Sequence, residues 1–325
     1  MTHWKLLAGA GTLALIAAGV GAAQNATQNN APAQPIATNE PYPQWAFPGP
    51  HNLSVPDSKR AFSWVQMFDR TTAVDWFPDE HPAMPTAVKG QLRVYACGFC
   101  HLPEGAGRPE NAALAGLSYE YFMQQINDMQ SGKRNTPNPN FGPGVNMILT
   151  INHKDLQKKD IEDAARYYAG LKYVNHTKIV ETTEIPRIAR TDSFVYVLDK
   201  SGVKEPLGER IVEAPDDFER FEMRDHRVGV TAYVPPGSIA RGAILAKGNG
   251  NPAIACETCH GPGLKGTPIG PPIAGRPLTP NFRQMYAFKT GTRNGPSAVL
   301  MTPVVANLSN KDMIDLAAYV GSLEP

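Results

Sequence analysis

Two segments of this chain, Cys97-Gly98-Phe99-Cys100-His101 and Cys256-Glu257-Thr258-Cys259-His260, spell C-x-x-C-H and between them use all 4 cysteines. Thiols at this spacing can add across the two vinyl groups of one haem, while the adjacent histidine ligates the iron. A structural zinc site would place its paired C-x-x-C knuckles roughly 15–20 residues apart, and here the whole middle of the chain separates them. A redox dithiol would open a helix in a βαβ pattern, which the neighbouring Gly- and Pro-rich loops do not supply. Structural disulfides would not need a histidine after each second cysteine. The cysteines therefore point to two covalently attached haems c, held by Cys97, Cys100 and His101 and by Cys256, Cys259 and His260.

Laying Cys97 on Cys256 sets an offset that keeps working downstream. Leu114-Ala115-Gly116 falls on Ile273-Ala274-Gly275, Gln125 on Gln284, and Gly132-Lys133-Arg134 on Gly291-Thr292-Arg293. Between these landmarks, Tyr119–Met129 and Phe282–Phe288 read as matching amphipathic helices. Each copy closes with a further helical pattern, Asp160–Leu171 and Asp312–Leu323, with apolar residues at i, i+3, i+4 and i+7. Duplication of a small helical unit explains this. With 29 Gly and 30 Pro, well above average usage of about 7% and 5%, the helices should be short and the loops many.

The same frame locates the sixth iron ligand. Each copy carries one Met between its Gly-x-Arg turn and its last helix, Met147 and Met301. A thioether opposite His is common in electron-carrying haem proteins and raises the potential. The expected metal ligands are thus His101 with Met147, and His260 with Met301. His153 and Met129 are competitors for the first position. Met123, Met129 and Met285 read as core filling on the middle helices.

Residues 1–23 carry Lys5, an apolar Ala/Gly/Leu run and small residues before Gln24, the pattern of a cleaved export signal, with an uncleaved membrane anchor as the alternative for a run of this length. Residues 24–40 read as a flexible tether. No later stretch reaches 18 apolar residues, so the exported protein should be soluble or in peripheral contact with a membrane. Lys and Arg number 31 against 30 Asp and Glu, leaving no electrostatic excess for nucleic acid.

On its haem motifs and Met loops the chain resembles the class I cytochrome c family, and within it the two-domain dihaem electron carriers of the bacterial periplasm. The resemblance covers about half of the chain. It implies a mainly α fold: cytochrome c domains at 85–172 and 237–325, joined by a charged, partly β segment at 173–236 and preceded by a Trp/Pro-rich extension at 41–84. It further implies that Arg134 and Arg293 face haem propionates, that a loop proline carbonyl orients each ligating imidazole, and that the partners are periplasmic or membrane-bound redox proteins.

The extension and the bridge depart from simple carriers. Trp45, Trp64 and Trp76 lie in the extension, with a helical stretch at Lys59–Arg70 and the sequence Trp76-Phe77-Pro78-Asp79-Glu80-His81-Pro82. His81 stands outside the repeat frame and is not expected to ligate iron. The bridge suggests a small antiparallel element from Lys178–Glu181, Phe194–Leu198, Arg210–Glu213 and Val228–Val234, with His176 and His226 on the surface. A single-electron carrier, free or as a subunit of a dehydrogenase or oxidase chain, is the leading functional reading. The alternative is a dihaem cytochrome c peroxidase, which needs an openable iron and distal acid–base groups. A thiolate-ligated sulfur-oxidising enzyme would need a fifth cysteine.

Overall fold

The computed structural model describes residues 52–90, 94–135, 156–191, 195–249 and 254–325. The expected export signal, the tether, Trp45, Met147 and His153 lie outside these residues.

The extension begins with a hairpin, β1 (Asn52–Leu53) against β2 (Phe62–Ser63), that runs into α1 (Trp64–Phe68). The helix expected over Lys59–Arg70 is therefore only five residues long. Phe62 and Ser63 are taken by the strand pair. Ser63 also starts the helix with a capping box, its hydroxyl accepting from the Gln66 amide while the Gln66 side chain accepts from the Ser63 amide. Val55, Met67, Val74, Trp76 and Phe77 bury together as a small core of their own.

The first repeat follows as α2 (Thr86–Lys89), α3 (Cys97–His101), α4 (Tyr119–Gln130) and α5 (Lys158–Ala169). Its core joins Val88 of α2, Phe122 of α4, and Ile161, Ala165 and Tyr168 of α5. Ser118 caps α4 through the Tyr121 amide, which leaves the apolar face of that helix free to pack on α5.

The bridge holds β3 (Thr177–Glu181), β4 (Glu184–Pro186), β5 (Ile188–Arg190), β6 (Tyr196–Leu198), β7 (Lys204–Pro206), β8 (Val212–Pro215), α6 (Phe218–Glu222) and β9 (Val230–Val234). It is not a simple antiparallel element. β9 lies between β3, which it pairs in parallel (Thr177↔Val230), and β8, which it pairs antiparallel (Pro215↔Val230). β4–β7 and β5–β6 form separate antiparallel pairs. β9 alternates buried and part-exposed residues, and its Ala232 and Val234 pack on Leu278, Ala317 and Ala318 of the second repeat. The bridge is thus one wall of the C-terminal core.

That repeat comprises α7 (Ser238–Ala246), α8 (Glu257–His260), α9 (Leu278–Lys289), α10 (Ala298–Val305) and α11 (Asn310–Gly321). A carboxylate from β8 starts α9: Glu213 Oε1 accepts from the Leu278 amide at 2.9 Å and Oε2 from the Thr279 amide at 2.8 Å. Pro277 precedes this helix and gives it no side-chain cap, so the bridge satisfies amides that the helix leaves open. The repeats differ at their leading helix. α7 runs nine residues and α2 four, because Pro78, Pro82 and Pro85 stand where a longer α2 would have to extend.

α7 crosses α11 at Gly242, with Arg241 held by the buried Asp315 through two contacts of 2.8 Å. A Cβ on Gly242 would run into the Asp315 carbonyl and lie 2.7 Å from Tyr319 Cβ. Gly242→Ala is therefore expected to destabilise the C-terminal repeat by about 1–3 kcal/mol. Thermal melts followed by far-UV circular dichroism should show a lower midpoint, and an unchanged midpoint would refute the close crossing.

Candidate haem sites

Both C-x-x-C-H segments form a single helical turn, α3 in one repeat and α8 in the other. The residue after each histidine is left-handed, Leu102 at φ 65° and Gly261 at φ 76°, which ends the helix and turns the chain back. Gly107 N–H then reaches the His101 carbonyl at 3.1 Å, and Gly266 N–H reaches that of His260 at 2.7 Å. The backbone repeats this turn although Leu replaces Gly at one of the two positions.

Each imidazole is held from the same place. His101 Nδ1 lies 2.7 Å from the Ala112 carbonyl and His260 Nδ1 lies 2.8 Å from the Pro271 carbonyl, 11 residues further on in both cases. A carbonyl oxygen only accepts, so Nδ1 carries the hydrogen and Nε2 is the ligating nitrogen. The expected proline is present in the second repeat only. The interaction uses a main-chain oxygen, so Ala112 serves as well as Pro271.

No disulfide joins any two of the four cysteines. Burial pushes Cys97 up to about 12 and Cys256 up to about 11, which is the opposite of the activated thiolate of a redox dithiol. The residues fit haem attachment on a further ground, the charge they bury between the repeats. Arg134 and Arg293 meet across a local two-fold relation, as a β-bridge flanked by Asn135 N–H to Thr292 O and Asn294 N–H to Lys133 O, both 2.8 Å. Arg134 donates to Gln125 at 2.9 Å and to Gln284 at 3.2 Å; Arg293 donates to Gln284 at 2.9 Å and to Gln125 at 2.7 Å. Arg293 also reaches the Tyr121 hydroxyl at 2.8 Å. These acceptors are neutral. Burial and the facing Arg293 together push Arg134 down to about 9. Two guanidiniums held this close with neutral partners call for added anions, and haem carboxylates are the anions the cysteine motifs bring. Both arginines are withdrawn from solvent, Arg293 buried and Arg134 half-buried.

Met301 is on α10 rather than in an open loop. It packs, half-buried, in one apolar cluster with Cys256, Phe282, Met285, Phe288 and Leu316. One sulfur of the second motif and the expected sixth ligand thus share a cluster. Met123 packs, half-buried, against the first repeat's core. Met147 lies outside the described residues.

The first motif has surroundings that the sequence did not disclose. Arg224, left-handed at φ 61°, stacks 3.8 Å from the Phe99 ring centre and donates from Nε to the Phe99 carbonyl at 3.3 Å. Arg108 stacks on Phe221 and donates to Glu222 at 2.9 Å. Three residues past His101, Glu104 is enclosed by the extension and the bridge. Neither of its carboxylate oxygens forms a hydrogen bond, although His226 Nδ1 lies 3.4 Å from Oε2. His226 is not a surface residue. It sits between Glu104 and Glu80, edge-on to Phe77, with its side chain 11% exposed. His81 belongs to this layer through Asp75 and the Tyr167 hydroxyl. Nothing in local sequence marks this layer, because the contacts that close it, Arg224 on Phe99, Arg108 on Glu222 and His226 beside Glu104, join residues far apart along the chain.

The chain is similar to several known proteins. The family described as "Cytochrome C oxidase, cbb3-type, subunit III" matches residues 243–320. Cytochrome c4 of Azotobacter vinelandii is 26% identical over 242 residues, covering 73% of this chain and 89% of that protein. Cytochrome c-554(548) of Halomonas halodenitrificans is 40% identical over 70 residues, covering 21% of this chain and 84% of that protein. Among solved structures, reduced cytochrome c4 of Pseudomonas stutzeri aligns at a TM-score of 0.44 and 21% identity, over 70% of this chain and 93% of that one.

Glu104 makes stability depend on pH. Burial raises its carboxyl from an ordinary 4.5 to about 8, so the native state keeps a proton that the unfolded chain has lost. Stability should fall as pH rises from about 4.5 to about 8, and this contribution should level off above that. Glu104→Gln is expected to flatten that slope in denaturant titrations run across the window. An unchanged slope would show that Glu104 is ionised in the native protein.

Proposed function

The chain belongs to the class I cytochrome c family and holds two covalently bound haems c, and from that premise we propose that it is a dihaem electron carrier of the periplasm, passing single electrons between redox proteins. Each haem supplies a one-electron iron couple when bound. The observation that carries the reading is the pair of imidazoles, each fixed through Nδ1 to a main-chain carbonyl. A ring held this way presents the same nitrogen in both redox states, so little rearrangement accompanies electron transfer.

In this reading Met301 and Met147 close the opposite side of the two irons. Supporting this, Met301 packs with Cys256 in an apolar cluster, where a thioether is a better ligand than water. Arg134 and Arg293 compensate haem propionates where the repeats meet, and Gln125 and Gln284 hold both guanidiniums in place. The export signal expected at 1–23 would deliver the chain to the periplasm. No described helix is long and apolar enough to cross a membrane. The peroxidase reading has no comparable support: among the described residues nothing points to an iron that opens or to distal acid–base groups.

Met301→Ala is expected to abolish the thioether-to-ferric-iron charge-transfer band of one haem, lower its potential and allow carbon monoxide to bind the reduced form. Met147→Ala should do the same to the other haem, while Met123→Ala and Met285→Ala leave ligation intact. The check is an optical redox titration of each purified variant. Stoichiometric carbon monoxide binding by reduced wild-type protein would overturn the carrier reading in favour of the peroxidase. Silence of Met147→Ala alone would reassign only the first haem's ligand, to His153 or Met129.

A further inference from the structure

The repeats share a backbone and a haem motif, yet they present that motif to opposite environments. In the second repeat Glu257 and Thr258, the two residues between the cysteines, are exposed. In the first, Gly98 and Phe99 occupy the same positions and are buried. Their cover comes in part from α2 of the same repeat, whose Val88 carbonyl would lie 2.8 Å from a Cβ on Gly98, and beyond it from the two segments that simple carriers lack. From the extension, the Arg70 carbonyl accepts from the Ala96 amide at 2.8 Å, and Ala73 approaches so closely that a Cβ on Gly98 would lie 2.9 Å from its methyl group. From the bridge, the Arg224 guanidinium lies across the Phe99 ring at 3.8 Å. Trp76 ties the two covers together by donating to the Met223 carbonyl at 2.6 Å.

We propose that this protein exchanges electrons with its partners through the motif face of the second repeat alone, the corresponding face of the first being closed by the chain's own extension and bridge. The inference rests on the carrier reading and gives the two haems different duties. The second repeat is the port. The first is an interior site that fills and empties by way of the second, across the contact at Arg134 and Arg293. The residues flanking the port's haem-binding segments suggest the kind of partner. Ile254 before the motif, Ile269 after it, and Val299 and Leu300 beside Met301 are 46%, 64%, 71% and 50% exposed. The stretch from Asn294 to Asn310 contains no Asp, Glu, Lys or Arg. Apart from exposed Glu257 and Lys265 near the motif, this face is apolar, which matches a one-electron redox protein whose own contact surface is mostly apolar, because a densely charged surface would be desolvated against it with few groups to pair.

The test uses the oxidised and reduced full-length dihaem protein. A soluble paramagnetic relaxation agent added to the oxidised protein should broaden the haem-methyl proton resonances of one haem and spare the other, and Met301→Ala identifies which set belongs to the second repeat. Equal broadening of both sets, or broadening of the first set alone, overturns the proposal. In stopped-flow oxidation of the reduced protein, half of the amplitude should follow oxidant concentration and the other half should reach a concentration-independent limit. Glu257→Lys should slow the first half with tris(phenanthroline)cobalt(III) and speed it with ferricyanide, whereas the same charge change at exposed Glu184 does neither. If both halves follow concentration with one rate, both faces are open: the port assignment fails while the carrier reading stands. If neither haem exchanges electrons with either reagent, the carrier reading itself fails.

Discussion

The crossed pairing of two arginines with two glutamines organises the molecule. Gln125 and Gln284 each accept from the arginine of their own repeat and from that of the other. The two halves cannot separate without stripping partners from buried guanidiniums, and losing one partner of a buried charge is far more costly than losing a surface pair. The reciprocal amide bonds around them make the contact a short piece of sheet. Arg276 strengthens it by reaching from the second repeat to the carbonyls of Ala113 and Ala115 at 2.9 and 2.8 Å. Those carbonyls lie next to the one that orients His101. Contact between the repeats and ligand geometry are therefore built from the same strand of chain.

The segments added to this duplicated plan are structural parts of it. Glu213 caps α9 from outside the repeat, and β9 packs against α9 and α11. Tyr173, just past the end of the first repeat, donates to the Gly275 carbonyl at 3.0 Å while Arg276 stacks on its ring. On the other side, the extension and α6 enclose Glu104, His226 and the first motif. A cytochrome domain of this size has little apolar surface to bury besides its haem. The first repeat, with its leading helix cut to four residues, gains from the extension some of the cover that α7 provides in the second.

Much of this was legible in the linear sequence. The cysteine pairs, the histidines after them, the aligned glutamines and arginines, and the final amphipathic helices were all visible, because covalent haem attachment and helix periodicity are local constraints with spacings of a few residues. The boundaries of α4, α5 and α11 agree with expectation to within about two residues, as helix ends usually do. The short α1 and the parallel pairing of β3 with β9 departed from it, since both depend on a partner strand that local propensity does not name.

The sequence by itself determined the cofactor chemistry and the duplication, because these rest on which residue types recur at which spacing. It placed Gln125 beside Gln284 and Arg134 beside Arg293 only as equivalents in an alignment. That the equivalents touch, that Arg224 lies on Phe99, and that Glu104 is sealed beside His226 was decided by the tertiary structure. The physical reason is distance along the chain. Each of these contacts joins residues that lie far apart in sequence, and burial, which sets their charge and their exposure, belongs to the packed molecule and to no segment of it.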